Sequence, residues 1–388
     1  MFDVSQEFMD MARKRGRIVR CEIEVGPRAY TNAEIISFEL NDVVHPEDMN
    51  FGTACSRRFS FELWGNHSIS LTSRVRPYIM FEENGVLSEP CMLGEFFISR
   101  RSRQRNRQTI TCHDYMSRLD VRYKPRNISF PCTAATLLSN IASEYDLHVG
   151  FYPKPDTIEN IHGNATVREL IGYIAGLNGG VARFDRYGIL QLKKFERAFF
   201  TIESYQIFNL SLKPDINRIR RIEYVVNGEI MGAGDGTAKE TCRQFNPFGS
   251  EAIARRVLDE WDNYSYFGLT MKMQGLPYLE AGDGIWIQDD FQFGFFSTVI
   301  SEYTLHYDGG LRATLTAKSK NPLDDIDTAG GLPGSEGDYR GFDELYIRPT
   351  GFDVKIGART FNFTTPRDTS GRITSVDGEG KSRKVIWE

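Results

Sequence analysis

Apolar and polar residues alternate along much of the first hundred positions. Arg17 to Val25, Ala33 to Leu40 and Arg57 to Trp64 each read as a β-strand, and the last alternates cleanly. Val75 to Glu82, Gly94 to Arg100 and Gln108 to His113 continue the series. Short strands between turn signals indicate a barrel or a sandwich. Near residue 116 the period changes from two to 3.6. Cys132 to Tyr145 sets Leu137, Leu138, Ile141 and Tyr145 on one helical face, with Thr133 as N-cap. A second helix follows from Thr166, where Thr166 and Glu169 form a capping box, and Leu170, Ile171, Ile174 and Leu177 recur at helical spacing.

Strand patterning returns over Arg220 to Val226, Gly268 to Gln274, Gly284 to Gln288, Ser297 to Tyr307 and Leu311 to Ala317. One helix interrupts it, capped by Ser250 and carrying Ile253, Val257, Leu258 and Trp261 on one face. Residues 321–341, rich in Gly, Asp and Pro, have no period and read as a linker. Short strands then fall at Glu344 to Ile347, Phe352 to Ile356, Thr360 to Phe363 and Arg383 to Trp387. The N-terminal MFDVSQEFMDMARKRGR lacks an apolar core and reads as a short amphipathic helix, not a secretory signal. Two stretches echo each other, "RPYIMFEENG…LGEFFISRRSRQRNRQTITCHD" and "GIWIQDDFQFG…FFSTVISEYTLHYDGGLRATLTAK". Each reads strand, turn, strand, hairpin tip, strand, as an internal duplication would.

Composition narrows the function classes. The chain has 388 residues, 27 Phe and 17 Tyr, an aromatic content that suits strands. A net charge of −5 argues against a general nucleic-acid or membrane-surface binder. No apolar run reaches the length of a membrane span. The six cysteines form no CxxC pair and read as reduced, buried thiols.

Four stretches carry chemistry worth weighing. Gly176-Leu177-Asn178-Gly179-Gly180 looks like a phosphate cradle, but it follows a helix instead of preceding one. The exposed carbonyls and negative dipole of a helix C-terminus repel phosphate, so these glycines read as a helix stop. Asp185-Arg186-Tyr187-Gly188 then reads as a hairpin turn. Arg100, Arg101, Arg103, Arg105 and Arg107 form the densest positive run, without interleaved aromatics, and read as a solvated hairpin tip or a bridge to an acidic partner. Glu280 and Asp283 could act as an acid–base pair, yet their Gly-Asp-Gly setting favours a turn. Cys112, His113 and Asp114 adjoin, and neighbours on a strand point to opposite faces. No catalytic, cofactor-binding or metal-binding residue is assigned, and no enzymatic activity or cofactor is expected.

The ordered set "LGEFFISRRSRQRNRQTITCHDYMSRLD", "TVRELIGYIAGLNGGVARFDRYGILQL" and "LPYLEAGDGIWI…HYDGGLRATLTA" resembles the baseplate hub, or tail-associated structural protein, family of phages and tailocins of Gram-positive bacteria. The resemblance covers roughly residues 15 to 320. It implies an α+β, predominantly β, fold: two tube-forming β-barrel-like domains, an inserted small α/β domain and a short C-terminal β region. The corresponding divisions are 1–115 (first barrel domain with the N-terminal helix), 116–195 (insert), 196–320 (second barrel domain with one helix), 321–341 (linker) and 342–388. It further implies a homotrimeric ring in the virion tail, assembled in the host cytoplasm. Its partners would be the tail tube or a distal tail protein, the tape measure protein and a spike or tip protein, with DNA only as passing cargo. A C-terminal peptidoglycan-cleaving domain is common in such relatives, and the 47 or so residues after the linker carry no hydrolase motif. The alternatives left open are a tail-associated lysin and a receptor- or carbohydrate-binding module exposing "DDFQFGFFS".

Overall fold

The computed structural model describes residues 2–44, 50–161, 164–195, 198–261, 264–290 and 293–318, together with the backbone of three strands beyond residue 343. Residues 1–328 form one compact unit and 329–388 another. In the second, Glu344–Arg348, Gly351–Ile356 and Arg359–Thr364 make an antiparallel sheet. The expected linker 321–341 and the strand expected at 383–387 lie outside the described residues.

The first unit is organised by one large sheet. Its strands run in the order Ile207–Arg218, Ser265–Gln274, Leu311–Ala317, Glu302–Tyr307, Ile35–Val43, Arg58–Trp64, Arg107–His113, Phe96–Gln104, Arg74–Glu83, Ile18–Val25 and Arg28–Thr31. The two halves of the chain meet where Glu302–Tyr307 pairs antiparallel with Ile35–Val43, from Val43 opposite Glu302 to Phe38 opposite Tyr307. Strands from residues 18–113 and strands from residues 207–317 therefore share a single hydrogen-bonded sheet.

Two apolar cores lie behind it. One gathers the inward residues of the large sheet with helix α1 (Gln6–Arg13), which contributes Phe8, Met11 and Ala12. The other joins α2 (Ala134–Glu144) and α3 (Val167–Leu177) to residues 219–266, including Tyr224 and the Ile253, Val257 and Trp261 face of α4 (Glu251–Glu260). Residues 196–320 thus contribute to both cores.

The caps of α2, α3 and α4 are those the sequence predicts: Thr133, Thr166 and Ser250 each accept a bond from a backbone N–H three residues on. Glu169 completes the α3 box by accepting from the Thr166 N–H at 2.7 Å. At the other end Gly179 takes φ +65°, the left-handed conformation of a helix stop. Gly176 has a different task. A Cβ there would lie 2.9 Å from the Gly52 Cα, so α3 packs directly on the backbone of 52–54. That segment runs beside the Val181–Phe184 strand, with Gly52 N–H donating to the Gly180 carbonyl and Ala182 N–H to that of Thr53.

Two strand readings change. The single run expected over Ser297 to Tyr307 is two strands, Gly294–Val299 and Glu302–Tyr307. Between them the Ile300 N–H donates to the Asp283 carbonyl and the Ser301 N–H to that of Thr316. The chain changes sheets at this step, because Gly294–Val299 pairs with Gly284–Asp289 and not with the large sheet. The twelve-residue strand Ile207–Arg218 was not expected; its register shifts between Ile207 and Asn209 and again between Leu212 and Ile216, which breaks the alternation.

Candidate functional site: a polar sheet face and the ionic junction behind it

Alternation places every second residue of a strand on one face, and residues directly opposite in the register share that face. Following the register of the strands between Ile207–Arg218 and Phe96–Gln104 gives polar rows six and seven strands long. One runs Lys272, Thr314, Thr304, Asn41, Arg58, His113. The next runs Gln274, Arg312, His306, Glu39, Ser60, Thr111, Arg100, with Gln274 buried and donating to the Ala12 and Lys14 carbonyls. Ser211, Thr270, Thr316 and Glu302 fill one flank, and Glu62, Thr109 and Ser102 the other. Hydroxyls are the commonest group, and three charges lie beside opposites: Arg58 is 3.7 Å from Glu39, Arg107 3.8 Å from Glu62, and Lys318 3.9 Å from Glu302, while Lys272 and Arg100 are exposed. The opposite face carries Phe38, Leu40, Phe59, Phe61, Ile110, Tyr303, Leu305 and Leu315, all buried.

Asp42 breaks the pattern of that buried face. Its neighbours Asn41 and Val43 turn to the polar side, while Asp42 points inward and is 3% exposed. It accepts from Arg183 Nη2 at 3.0 Å and from the Ala281 N–H at 3.1 Å. Arg183, on the Val181–Phe184 strand, also donates to the Ala281 carbonyl at 2.8 Å and lies 3.6 Å from Glu280. Arg186 follows from the adjoining turn. Its Nε donates to Glu280 at 2.8 Å and its Nη1 to the Met92 carbonyl at 2.9 Å, and its guanidinium stacks on Phe2, 4.2 Å from the ring centre. Arg57 donates to the Leu93 and Asp185 carbonyls, and its own N–H bonds to Asp114 at 2.9 Å. Lys193 pairs with fully buried Asp283 at 2.8 Å.

Burial alone would depress the arginines and raise the carboxyls, and the pairing decides each outcome. Burial lowers Arg183, but Asp42, Glu280 and Asp283 overcome it and hold this guanidinium above its ordinary value. Burial would raise Glu280, yet Arg186, Arg183 and Arg57 hold its carboxyl well below the carboxylate range. At Asp114 burial wins and the carboxyl is pushed up despite Arg57. Arg57 is lowered by burial and by the charge of Arg183. The junction fixes the Val181–Lys193 hairpin to the back of the large sheet.

Gly176 to Gly180 sits at the C-terminal end of α3, where side chains from a distant part of the chain take up the carbonyls. Tyr224 Oη donates to Gly176 at 3.0 Å, Arg256 to Leu177 at 2.8 Å and Trp261 Nε1 to Gly179 at 3.1 Å. A cation therefore occupies the negative helix end. Arg100 to Arg107 lie exposed on the Phe96–Gln104 and Arg107–His113 hairpin. Trp64, from the neighbouring strand and distant in sequence, places its ring 5.9 Å from Arg107. Glu280 and Asp283 are committed to Arg186 and Lys193. Cys112 is buried, His113 bonds Ser99 on the other face, and Asp114 turns inward to Arg57. Asp42, Arg57, Arg183 and Arg186 were not singled out from sequence as a set. The available signal was Arg183 inside the apolar quartet Val181-Ala182-Arg183-Phe184, since an arginine within a buried strand needs an acid. Among the described residues no cluster of His, Cys, Asp and Glu suits a metal ion, and no helix is long and apolar enough to cross a membrane.

No protein-family model and no curated protein matches the sequence. Solved structures do match the fold. The tail protein from Neisseria meningitidis MC58 aligns with a TM-score of 0.53 at 14% identity, covering 78% of this chain and 97% of that one. The 43 kDa tail protein of prophage MuSo2 from Shewanella oneidensis aligns with a TM-score of 0.51 at 11% identity, covering 77% and 98%. The chain thus shares its fold with solved phage tail proteins.

Proposed function

We propose that this chain is a structural hub of a phage or tailocin tail, three copies of which form a ring joining the hexameric tail tube to the tail tip. The observation that carries the proposal is the polar face shared by the two halves of the chain. Eight strands spaced ~4.8 Å apart make a wall ~38 Å wide in one copy. Three copies give about 24 strands, more than the 16–18 that already enclose an aqueous channel in porins. Each half supplies one tube-like barrel in this reading, so three chains present six repeats to a six-fold tube. The division into two barrel domains (1–115 and 196–320), an insert (116–195) and a C-terminal region (342–388) belongs to the same proposal.

The face suits a passage for DNA. Its hydroxyls and the pairing of Arg58, Arg107 and Lys318 with glutamates limit the cations offered to a polyanion across the face, and the exposed arginine run lies at one edge. Tail-tube or distal tail protein, tape measure protein and spike or tip protein are the partners, and the site of action is the virion tail. The mechanism is symmetry matching and conduction, without covalent chemistry. The ion pairs on Glu280 and Asp283 support this over a lysin, because neither carboxylate is left to act on a substrate. Light scattering on the purified chain tests the proposal: a trimer is expected, and a monomer that fails to bind tail-tube or distal tail protein would refute it. Clearing of purified cell wall that is lost in Glu280→Gln would establish the lysin instead.

A further inference from the structure

Each buried arginine of the junction lies beside an acid: Asp114 near Arg57, Asp42 on Arg183 and Glu280 on Arg186. A second arginine cluster, at the C-terminal end of α1, has none. Arg13, Arg15 and Arg17 follow one another at every second position, and among the described residues no carboxylate pairs with any of them. Each lies over an aromatic ring instead. The guanidinium of Arg13 is 4.7 Å from the centre of Phe200, that of Arg15 5.7 Å from Tyr205 and that of Arg17 4.9 Å from Phe81. Arg13 and Arg17 are half-buried, and the Arg13 Nε is buried with no hydrogen-bond partner. Burial lowers the Arg17 guanidinium to about 10, and only the tyrosines Tyr303 and Tyr278 oppose it. Withdrawing a guanidinium from water without a counter-charge is unfavourable.

Helix capping does not account for the cluster. The Ala12 carbonyl accepts from Arg17 Nη1 and from Gln274 Nε2, and the Lys14 carbonyl accepts from Gln274 Nε2 at 3.2 Å. Arg17 Nη2 donates to the Gly275 carbonyl at 2.6 Å. Arg15 makes one long bond, 3.4 Å, to the Tyr205 carbonyl, and Arg13 caps nothing. The three arginines line two clefts that share Lys14 and Arg15. One, of about 410 Å³, is walled by Arg13, Arg15 and Tyr205, and the other, of about 200 Å³, by Arg17, Ile18 and Phe81. The acids at the rims are already committed: Glu83 to Lys14 at 2.6 Å, Glu82 to Arg20 at 2.5 Å, and Asp10 to the Gln6 amide at 2.8 Å.

We propose that these clefts receive the carboxylates of an acidic peptide segment from a partner protein, with Arg13, Arg15 and Arg17 as the cations that bind them. A guanidinium fork matches a carboxylate in geometry as well as charge. The committed carboxylates at the rims repel a continuous phosphate backbone, whereas a peptide presents its charges singly. All the binding groups belong to one copy of the chain, so the site goes beyond the hub reading and does not require a ring.

Titration calorimetry of the full chain with a hexa-aspartate peptide at low salt tests the site. Saturable binding is expected. Arg13→Gln with Arg15→Gln should weaken it about tenfold, and Arg100→Gln with Arg105→Gln, in the exposed hairpin, by less than about twofold. In the unaltered protein the side-chain Nε–H resonances of Arg13 and Arg17 should move as the peptide is added, a readout that needs no variant to fold. Absence of saturable binding, or binding lost in the hairpin variant and kept in the α1 variant, would overturn the proposal. A short single-stranded oligonucleotide that shifts the same resonances and binds more tightly than the peptide would overturn it too. A monomer by light scattering that still binds the peptide would refute the ring and leave this site standing.

Discussion

Two sets of arginines in this molecule follow opposite rules. Arg100, Arg101, Arg103, Arg105 and Arg107 are packed closely in sequence and remain in solvent. Arg57, Arg183 and Arg186 are scattered, and each is at most 4% exposed. Density of charge along the chain therefore says little about where charge is used. A run of like charges cannot be buried together, because each member would need its own acid. An isolated arginine in an apolar strand can be, provided the fold brings it a carboxylate and enough carbonyls. Here Asp42 and Glu280 come from strands and turns on either side of the junction, with several backbone carbonyls completing the set.

The largest expected effect comes from removing a buried member. Arg183→Met leaves Asp42 buried without its main partner and should cost about 3–5 kcal/mol in urea unfolding. A loss under ~1 kcal/mol would show that the junction is not a structural tie. Gly176→Ala, which forces α3 off the Gly52 backbone, should cost about 1–3 kcal/mol by the same measurement. The pH dependence is subtler. The folded state holds Glu280 ionised well below its ordinary range, so on acidification the unfolded chain takes up that proton first. The stabilisation is complete above about pH 4.3 and declines as pH falls towards the folded value, by up to ~1.4 kcal/mol per pH unit. Glu280→Gln should flatten the stability profile between about pH 4 and pH 3, and an unchanged slope would contradict the assignment. Arg100→Gln with Arg105→Gln, in the exposed set, should shift stability by no more than ~0.5 kcal/mol.

Much of the sheet was legible because one face is buried and alternation is strict: Arg58–Trp64 and Leu311–Ala317 match their expected bounds to within a residue. The α3 capping box was legible because all its partners lie within four residues. The pairing of Ile35–Val43 with Glu302–Tyr307 was not, since no local pattern names a partner more than 250 residues away. The same reason hid the junction. Arg186 in a hairpin turn looks like any solvated turn residue until Glu280 and Met92 are seen beside it. The bulged Ile207–Arg218 was missed because its two register shifts break the two-residue period.

A three-copy hub requires the Thr- and Ser-rich face to surround a common axis. Electron cryomicroscopy of the assembled protein measures this directly. A three-fold ring is expected whose channel is lined by Thr304, Thr314, Ser60 and Thr111, with the 181–193 hairpin behind the wall. A ring whose channel is lined by other residues, with this face turned outward, would contradict it.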